Sequence, residues 1–270
     1  MIDPQLMSKI KMVAPGTRLR QALDDIVMAE FGALIVFLDD IKAQERILQG
    51  GFYIGASFSP EKLYELAKMD GAIILDEGVT RILAANVQLA PDPSLPTDET
   101  GMRHRAAERV ARQTGKFVLT VSRRRRVITL YHKVHKHQLD DIAYLITRLD
   151  QTIRTVERYR AVLDAKMVRL ERDEFLDQVL LSQVVELIGD ALGVMRLLKE
   201  TAPCVVESGD EGRLPAMRLA SMTEEVDGVL RLLFKDYGRL PDLVGNGDAL
   251  PGDLEAGGRD EPVRIARFLG

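Results

Sequence analysis

The sequence predicts an α/β domain, a central mixed sheet flanked by helices, followed by an all-α helical domain. Three observations carry that expectation. Up to residue 137, short β-branched runs alternate with amphipathic stretches of helical period, the rhythm of an α/β layer fold. Two of those runs are joined by the dipeptide Glu77-Gly78, a hairpin signal that makes the sheet mixed rather than wholly parallel. From Leu139 onward the apolar residues fall at three- and four-residue spacing, as on one face of a long helix. The division expected is therefore 1–138 for the α/β domain, 139–238 for the helical domain and 239–270 for a linker or tail.

Each element has its own local reason. LRQALDDIVMAE (19–30) has helical period, and FGALIVFLDD (31–40) is a short apolar run suited to a buried strand. GFYIGASFS (51–59) alternates as a strand, and SPEKLYELAKMD (59–70) follows as a helix, with Ser59 as cap and Pro60 at its first position. AIILD (72–76) and VTRILAANVQL (79–89) form the hairpin, and the proline-rich acidic segment APDPSLPTDET (90–100) is a loop. A helix opens near Met102, and KFVLTVS (116–122) and RVITLYH (126–132) are the next strands. In the helical domain, Leu139, Ile142, Ile146, Leu149, Ile153, Val156, Leu163, Met167 and Leu170 mark a coiled-coil-like seam, broken where Arg160 takes its turn. Further helices are expected over about 175–201 and 213–236, with APCVVESGDEG (202–212) as a loop between them. The Gly-, Pro- and Asp-rich stretch beyond is read as a linker or poorly ordered tail.

Composition excludes several classes. The longest apolar run, Phe31 to Leu38, is too short to cross a bilayer, and the N-terminus lacks the pattern of a signal peptide. The single cysteine, Cys204, excludes an internal disulfide and a CxxC metal site. A cytoplasmic protein with no membrane partner is expected. No GxxxxGK[ST] P-loop, GxGxxG or HExxH motif is present.

The net charge of −4 hides an asymmetry: from Arg103 to Lys136 there are eleven Lys or Arg and one acid, Glu108. Such an excess suits an anionic ligand or a solvated basic face. Within it, MRHR (102–105) places Arg103, His104 and Arg105 in the first turn of a helix, where the backbone already carries partial positive charge. With Gly101 in front, backbone N–H groups and cations converge as in a phosphate site. Residues 103 and 105 lie about 200° apart on a helix, so both reach one ligand only through different groups of it or from two protomers. Arg105, Arg109 and Arg112 read as a solvated stripe, with Glu108 able to pair with Arg112. Ser122-Arg123-Arg124-Arg125-Arg126 occupies a strand-to-strand turn, where like charges repel with no acid near them in sequence; a polyphosphate or nucleic acid relieves them. Asp70-Gly71-Ala72 between a helix and a strand allows a ligand close to the backbone, with Asp70 able to hold a divalent cation, although Asp-Gly is also a common turn. His135 and His137 are a weak metal pair, with Lys133 and Lys136 nearby and no carboxylate close in sequence.

KMDGAIILDE, NVQLAPDP, TGMRHRAAERVARQTG and SRRRRVITLYH, in this order and spacing, resemble the diadenylate cyclase family. The helices from about 139 to 237, including TVERYRAVLD, resemble the spacer of the members that scan DNA integrity, so the likeness covers roughly 5–240. The resemblance implies condensation of two ATP into cyclic di-AMP with release of two pyrophosphates, supported by Mg²⁺ or Mn²⁺, in a site between two facing protomers. It further implies that Asp70 binds metal and that Gly71 and Ala72 lie against the sugar. Leu89 would lie near the adenine, with Arg103, His104 and Arg105 on phosphates. Ser122, Arg123 and Arg125 would hold the leaving pyrophosphate. The assembly implied is at least a dimer, in the form of an octamer.

Two departures stand out. Met102 occupies the place of the motif's threonine, replacing a hydroxyl with a thioether that donates no hydrogen bond. The family's helix-hairpin-helix module would begin about where this chain reaches RIARFLG, so DNA binding is expected to be weak or absent. Beside the cyclase stand two alternatives: a weakly active or non-catalytic sensor of ATP or cyclic di-AMP, and a nucleic-acid-binding scaffold.

Overall fold

The computed structural model describes residues 4–237; the tail 239–270 read from the sequence lies outside the described residues. The chain divides into two compact units, residues 1–145 with 206–211, and the remainder.

The first unit is built on an eight-stranded mixed sheet. The strands are β1 (Ala33–Phe37), β2 (Leu48–Gln49), β3 (Phe52–Ser57), β4 (Ala72–Leu75), β5 (Arg81–Leu89), β6 (Phe117–Ser122), β7 (Val127–His132) and β8 (His135–Gln138). They run in the order β2-β5-β4-β1-β6-β7-β8, with β3 also paired to β5. Only β1 and β4 pair in parallel, and the other pairings are antiparallel. The mixed sheet expected from the Glu77-Gly78 turn is present.

Alternation along β1 explains the layers. Ala33, Ile35 and Phe37 face a core shared with helices α1 (Pro4–Met12), α2 (Arg18–Met28) and α3 (Pro60–Ala67), represented by Ile10, Leu23, Ile26 and Leu63. Leu34 and Val36 face the opposite core, closed by Ala107, Val110 and Ala111 of α4 (Met102–Thr114). Because β1 is buried on both faces, it reads as a continuous apolar run. Ser59 caps α3 by accepting from the Lys62 N–H, and Pro60 takes the first turn.

Most of the expected seam is buried: Leu139, Leu149, Ile153, Val156, Leu163 and Leu170 are core residues, and Met167 is half-buried. Helix α5 (Ile142–Phe175) also buries Leu145, whereas Ile142 and Ile146 are only half-buried. Where the apolar spacing breaks, Arg160 is paired with Asp164 at 2.9 Å and with Glu225. Lys166 bridges to Glu186 and Asp190, each at 2.5 Å.

The segment expected as a loop over 202–212 is mostly helical. Helix α6 runs Leu181–Ser208 straight through Pro203, only Gly209–Gly212 forms a 3-10 turn, and α7 spans Arg213–Asp236. Proline inside a helix costs roughly 3 kcal/mol. Burial of Thr201, Cys204, Glu207 and Ser208 on both sides of Pro203 outweighs that cost. Glu207 also accepts from the Asp140 N–H at 2.5 Å and lies 2.8 Å from His137 Nε2, a tether invisible to local propensity.

Candidate functional site

Strand direction assembles the site at one edge of the sheet. β1 and β4 start there, and β5 and β6, antiparallel to them, end there, with Ala72 opposite Val87 and Ala33 opposite Val121. That places Gly32, Asp70, Gly71, Leu89 and Ser122 together, although they are far apart in sequence. Helix α4 adds Arg103 from its first turn. Arg103 Nη2 lies 3.6 Å from Asp70 Oδ1, and the Asp70 side chain is fully exposed. The same guanidinium lies over Gly32, where an added Cβ would meet Arg103 Nη1 at 2.2 Å.

Gly71 serves the fold more directly than the sequence suggested. Its φ is +87°, and a Cβ there would lie 2.8 Å from the Asn86 carbonyl carbon and 3.0 Å from Val87 O. The close approach is to β5, where Asn86 also has positive φ and the register slips between Ala72 and Ile74. Ala72 is buried, and Leu89 is half-buried at the end of β5 beside Leu48.

The start of α4 carries cations and no acid. Gly101 is the N-cap and supplies no side-chain bond. Met102 is 87% exposed, Arg105 is exposed, and Arg103 is partly buried against the edge. The 200° separation is realised: Arg103 turns to the sheet edge while Arg105 faces solvent.

His104 turns inward. Its Nδ1 is 2.9 Å from Tyr131 Oη and 2.9 Å from Thr120 Oγ1. Tyr131 Oη in turn donates to Glu99 Oε1 at 2.8 Å, and Lys136 pairs with that same oxygen. Burial pushes the His104 imidazole below its ordinary value, helped by Arg125, Lys136 and Arg103 and opposed by Glu99. Burial works to raise the Glu99 carboxyl, but hydrogen bonds from Lys136 and Tyr131 outweigh it and hold that carboxyl low. The Tyr131 hydroxyl is pushed up, first by burial and then by Glu99. The group therefore holds a carboxylate, a neutral phenol and a neutral imidazole at neutral pH.

Of the stripe read over Arg105, Arg109 and Arg112, Arg105 is exposed while Arg109 and Arg112 are half-buried, and the expected Glu108–Arg112 pair is present. Arg109 Nε donates to Leu95 O at 2.9 Å, and Arg112 Nη2 to Glu108 Oε1 at 2.8 Å. Glu108, buried, also accepts from Thr97 Oγ1 at 2.6 Å, so helix α4 clasps the proline loop on both sides. In the arginine turn, Glu30 reaches Arg126 from across the fold, supplying an acid that local sequence lacked. Ser122 anchors that turn: its carbonyl accepts from the Arg126 N–H at 2.8 Å and its Oγ from the Arg125 N–H at 3.3 Å. Arg123, Arg124 and Arg125 are exposed, with Arg123 and Arg124 joining Glu30 and Arg126 around a shallow cleft.

Sequence reasoning missed Gly32, Glu99, Thr120 and Tyr131, and noticed Lys136 only as part of the basic excess. Among the described residues no group of three or more His, Cys, Asp or Glu is placed to hold a metal. His137 is instead engaged by Glu207.

A nucleotide-binding class is what the likenesses to known proteins define. Residues 20–136 match the family described as DisA bacterial checkpoint controller nucleotide-binding, and residues 139–248 match the DisA bacterial checkpoint controller linker region. The chain belongs to that family. It is 46% identical over 270 residues to the DNA integrity scanning protein DisA of Thermotoga neapolitana, covering 100% of this chain and 77% of the relative. The protein of that name from Thermotoga maritima is 45% identical, covering 100% and 76%. That from Carboxydothermus hydrogenoformans is 45% identical over 240 residues, covering 89% and 68%. No helix among the described residues is long and apolar enough to cross a membrane.

Proposed function

We propose that the chain is a diadenylate cyclase that condenses two ATP into cyclic di-AMP in a site completed by two facing protomers. The observation that carries this reading is the convergence of Asp70, Arg103, the uncapped start of α4 and the Ser122 turn on one sheet edge. In each half of the reaction, the 3′ oxygen of one nucleotide bonds to the α-phosphorus of the other. The bond from that phosphorus to its bridging oxygen breaks, pyrophosphate leaves with the electron pair, and the hydroxyl proton is released. Two such steps close the ring. Such chemistry depends on positioning and charge neutralisation more than on covalent help.

The residues divide that work. Arg103 and the free N–H groups at the start of α4 bind α-phosphate oxygens, favoured by the helix dipole. Arg105, facing away, reaches the nucleotide of the partner protomer. Arg123 and Arg125, on the turn fixed by Ser122, neutralise the leaving pyrophosphate. Leu89 and the backbone at Gly71 and Ala72 line the nucleoside. Asp70, an exposed carboxylate beside the phosphate site, would hold the Mg²⁺ or Mn²⁺ ion. When bound, that cation supplies further neutralisation of phosphate charge. The relatives' name supports DNA integrity scanning as the setting of this activity.

The test is incubation of the chain with ATP and Mn²⁺, with chromatography for cyclic di-AMP. Product that vanishes in Asp70→Asn is expected. Tight ATP binding with no product, restored by Met102→Thr, would instead favour the sensor reading, for which the exposed thioether at Met102 is the motivating observation.

A further inference from the structure

The buried chain of groups behind His104 decides more than packing. Tyr131 has one hydroxyl hydrogen, and it is committed to Glu99 Oε1 at 2.8 Å. The Glu99 side chain is only 7% exposed, and its same oxygen also receives Lys136, so it stays an acceptor. Tyr131 Oη therefore presents only lone pairs to His104 Nδ1, 2.9 Å away. Were Nδ1 unprotonated, two lone pairs would face each other at that distance in a buried site. With a hydrogen on Nδ1, the contact becomes a hydrogen bond, and Thr120 Oγ1 at 2.9 Å accommodates it by rotating its own hydrogen elsewhere.

We infer that Glu99 and Tyr131 are positioning residues that hold His104 in its Nδ1-protonated tautomer, leaving an unprotonated Nε2 at the start of α4. The ring's outer edge lies there, with His104 Cδ2 3.4 Å from where a Cβ on Gly101 would stand. A bare Nε2 accepts hydrogen bonds and repels anionic oxygen. His104 thus differs in kind from Arg103 and Arg105, although the three are adjacent in sequence. The ligand group it takes is a hydroxyl or other hydrogen donor, not a phosphate oxygen. Resting on the cyclase reading, that donor is a ribose hydroxyl, and His104 orients it and accepts its hydrogen.

This arrangement also explains why the proline loop is held so firmly. Its last acidic residue, Glu99, sits between Lys136 and Tyr131, and its neighbour Thr97 is bonded to Glu108. The loop delivers the one carboxylate that fixes the orientation of Tyr131, and through Tyr131 the tautomer of His104.

The chain contains four histidines, so ring-¹⁵N-labelled histidine gives four spin systems, with His104 assigned by its loss in His104→Gln. The unsubstituted chain is expected to show a protonated Nδ1 and a bare Nε2 for His104. Tyr131→Phe keeps the ring in the core and removes the hydroxyl that accepts from Nδ1 and donates to Glu99, so Thr120 donates to Nδ1 and the hydrogen moves to Nε2. Glu99→Ala frees the Tyr131 hydrogen to turn toward Nδ1, with the same result by a change on the proline loop rather than on the sheet. Glu99→Gln retains an oxygen at the shared position and keeps the Nδ1-protonated form. In synthesis, Tyr131→Phe is expected to lower kcat by about a hundredfold, the low end of what a positioned proton acceptor contributes, with KM for ATP unchanged. An Nε2-protonated His104 in the unsubstituted chain overturns the inference, as do unaltered His104 spectra in both Tyr131→Phe and Glu99→Ala. If no variant or parent makes product, the cyclase reading fails while the spectra still decide the tautomer.

Discussion

Replacing Gly71 by alanine isolates the physical reason for the Asp-Gly-Ala turn, because two other glycines supply internal controls. Gly101 has ordinary negative φ and a single contact of 3.4 Å for an added Cβ; its replacement costs about 0.5 kcal/mol as a slightly poorer N-cap. Gly115 has φ +68° with open space around it, so its alanine variant suffers only the left-handed strain, about 1 kcal/mol. Gly71 combines φ +87° with backbone contacts at 2.8, 3.0 and 3.1 Å, none of them a flexible side chain that could swing away. Adding about 1–3 kcal/mol for that overlap gives roughly 2–4 kcal/mol for Gly71→Ala. Urea unfolding followed by far-UV circular dichroism, with hydrogen exchange of the β4 and β5 amides, measures the series. The order expected is Gly101→Ala, then Gly115→Ala, then Gly71→Ala as the most destabilised. A Gly71→Ala chain no less stable than Gly115→Ala would refute the argument that this glycine is required by β5.

Further outcomes follow from the site. Glu108→Ala leaves Thr97 without its acceptor and Arg112, 23% exposed, without its carboxylate; with Arg112 partly rehydrated, we expect a loss of about 2–3 kcal/mol and faster proteolysis within 90–100. Met102→Thr restores a hydroxyl at the head of α4, and a regained contact of about 1–3 kcal/mol predicts a ten- to hundredfold rise in cyclic di-AMP synthesis; an unchanged rate would show that Met102 costs nothing. Asp70→Asn should abolish Mn²⁺-dependent synthesis while leaving the melting temperature within about 2 °C, since its partner Arg103 lies 3.6 Å away in an exposed pair. Both His104 and Glu99 are held below their ordinary values of 6.5 and 4.5, so the folded state binds fewer protons than the unfolded state there. Their stabilisation is present above those values and is lost as pH falls, first below about 6.5 and then below about 4.5. A melting temperature that stayed level from pH 7 to 4, or that fell equally in Glu99→Gln and the parent below pH 4.5, would contradict that assignment.

Whatever depends on near neighbours in the chain is encoded locally. Helical period, the Ser59-Pro60 start of α3, the Glu77-Gly78 hairpin and the doubly buried run of β1 are local patterns, and each became the element its chemistry favours. The Asp70, Arg103 and Ser122 motifs were legible jointly, from the order and spacing that carry the family resemblance, whereas Asp70-Gly71 alone reads as a common turn. What needed the tertiary structure was every decision made by a distant partner. Helix α6 passes through Pro203 because burial on either side outweighs a local penalty, and Arg126 finds Glu30 ninety-six positions away. In sequence His104 reads as a third basic group beside Arg103 and Arg105, and the fold sets it against Tyr131 and Thr120. Its neighbours in sequence are two arginines, but its chemistry is set by a phenol on β7 and a carboxylate on a loop. Local sequence fixes which groups a residue carries; the sheet register and the loop clasp fix which of their protons and lone pairs meet, and no nearest-neighbour pattern encodes that.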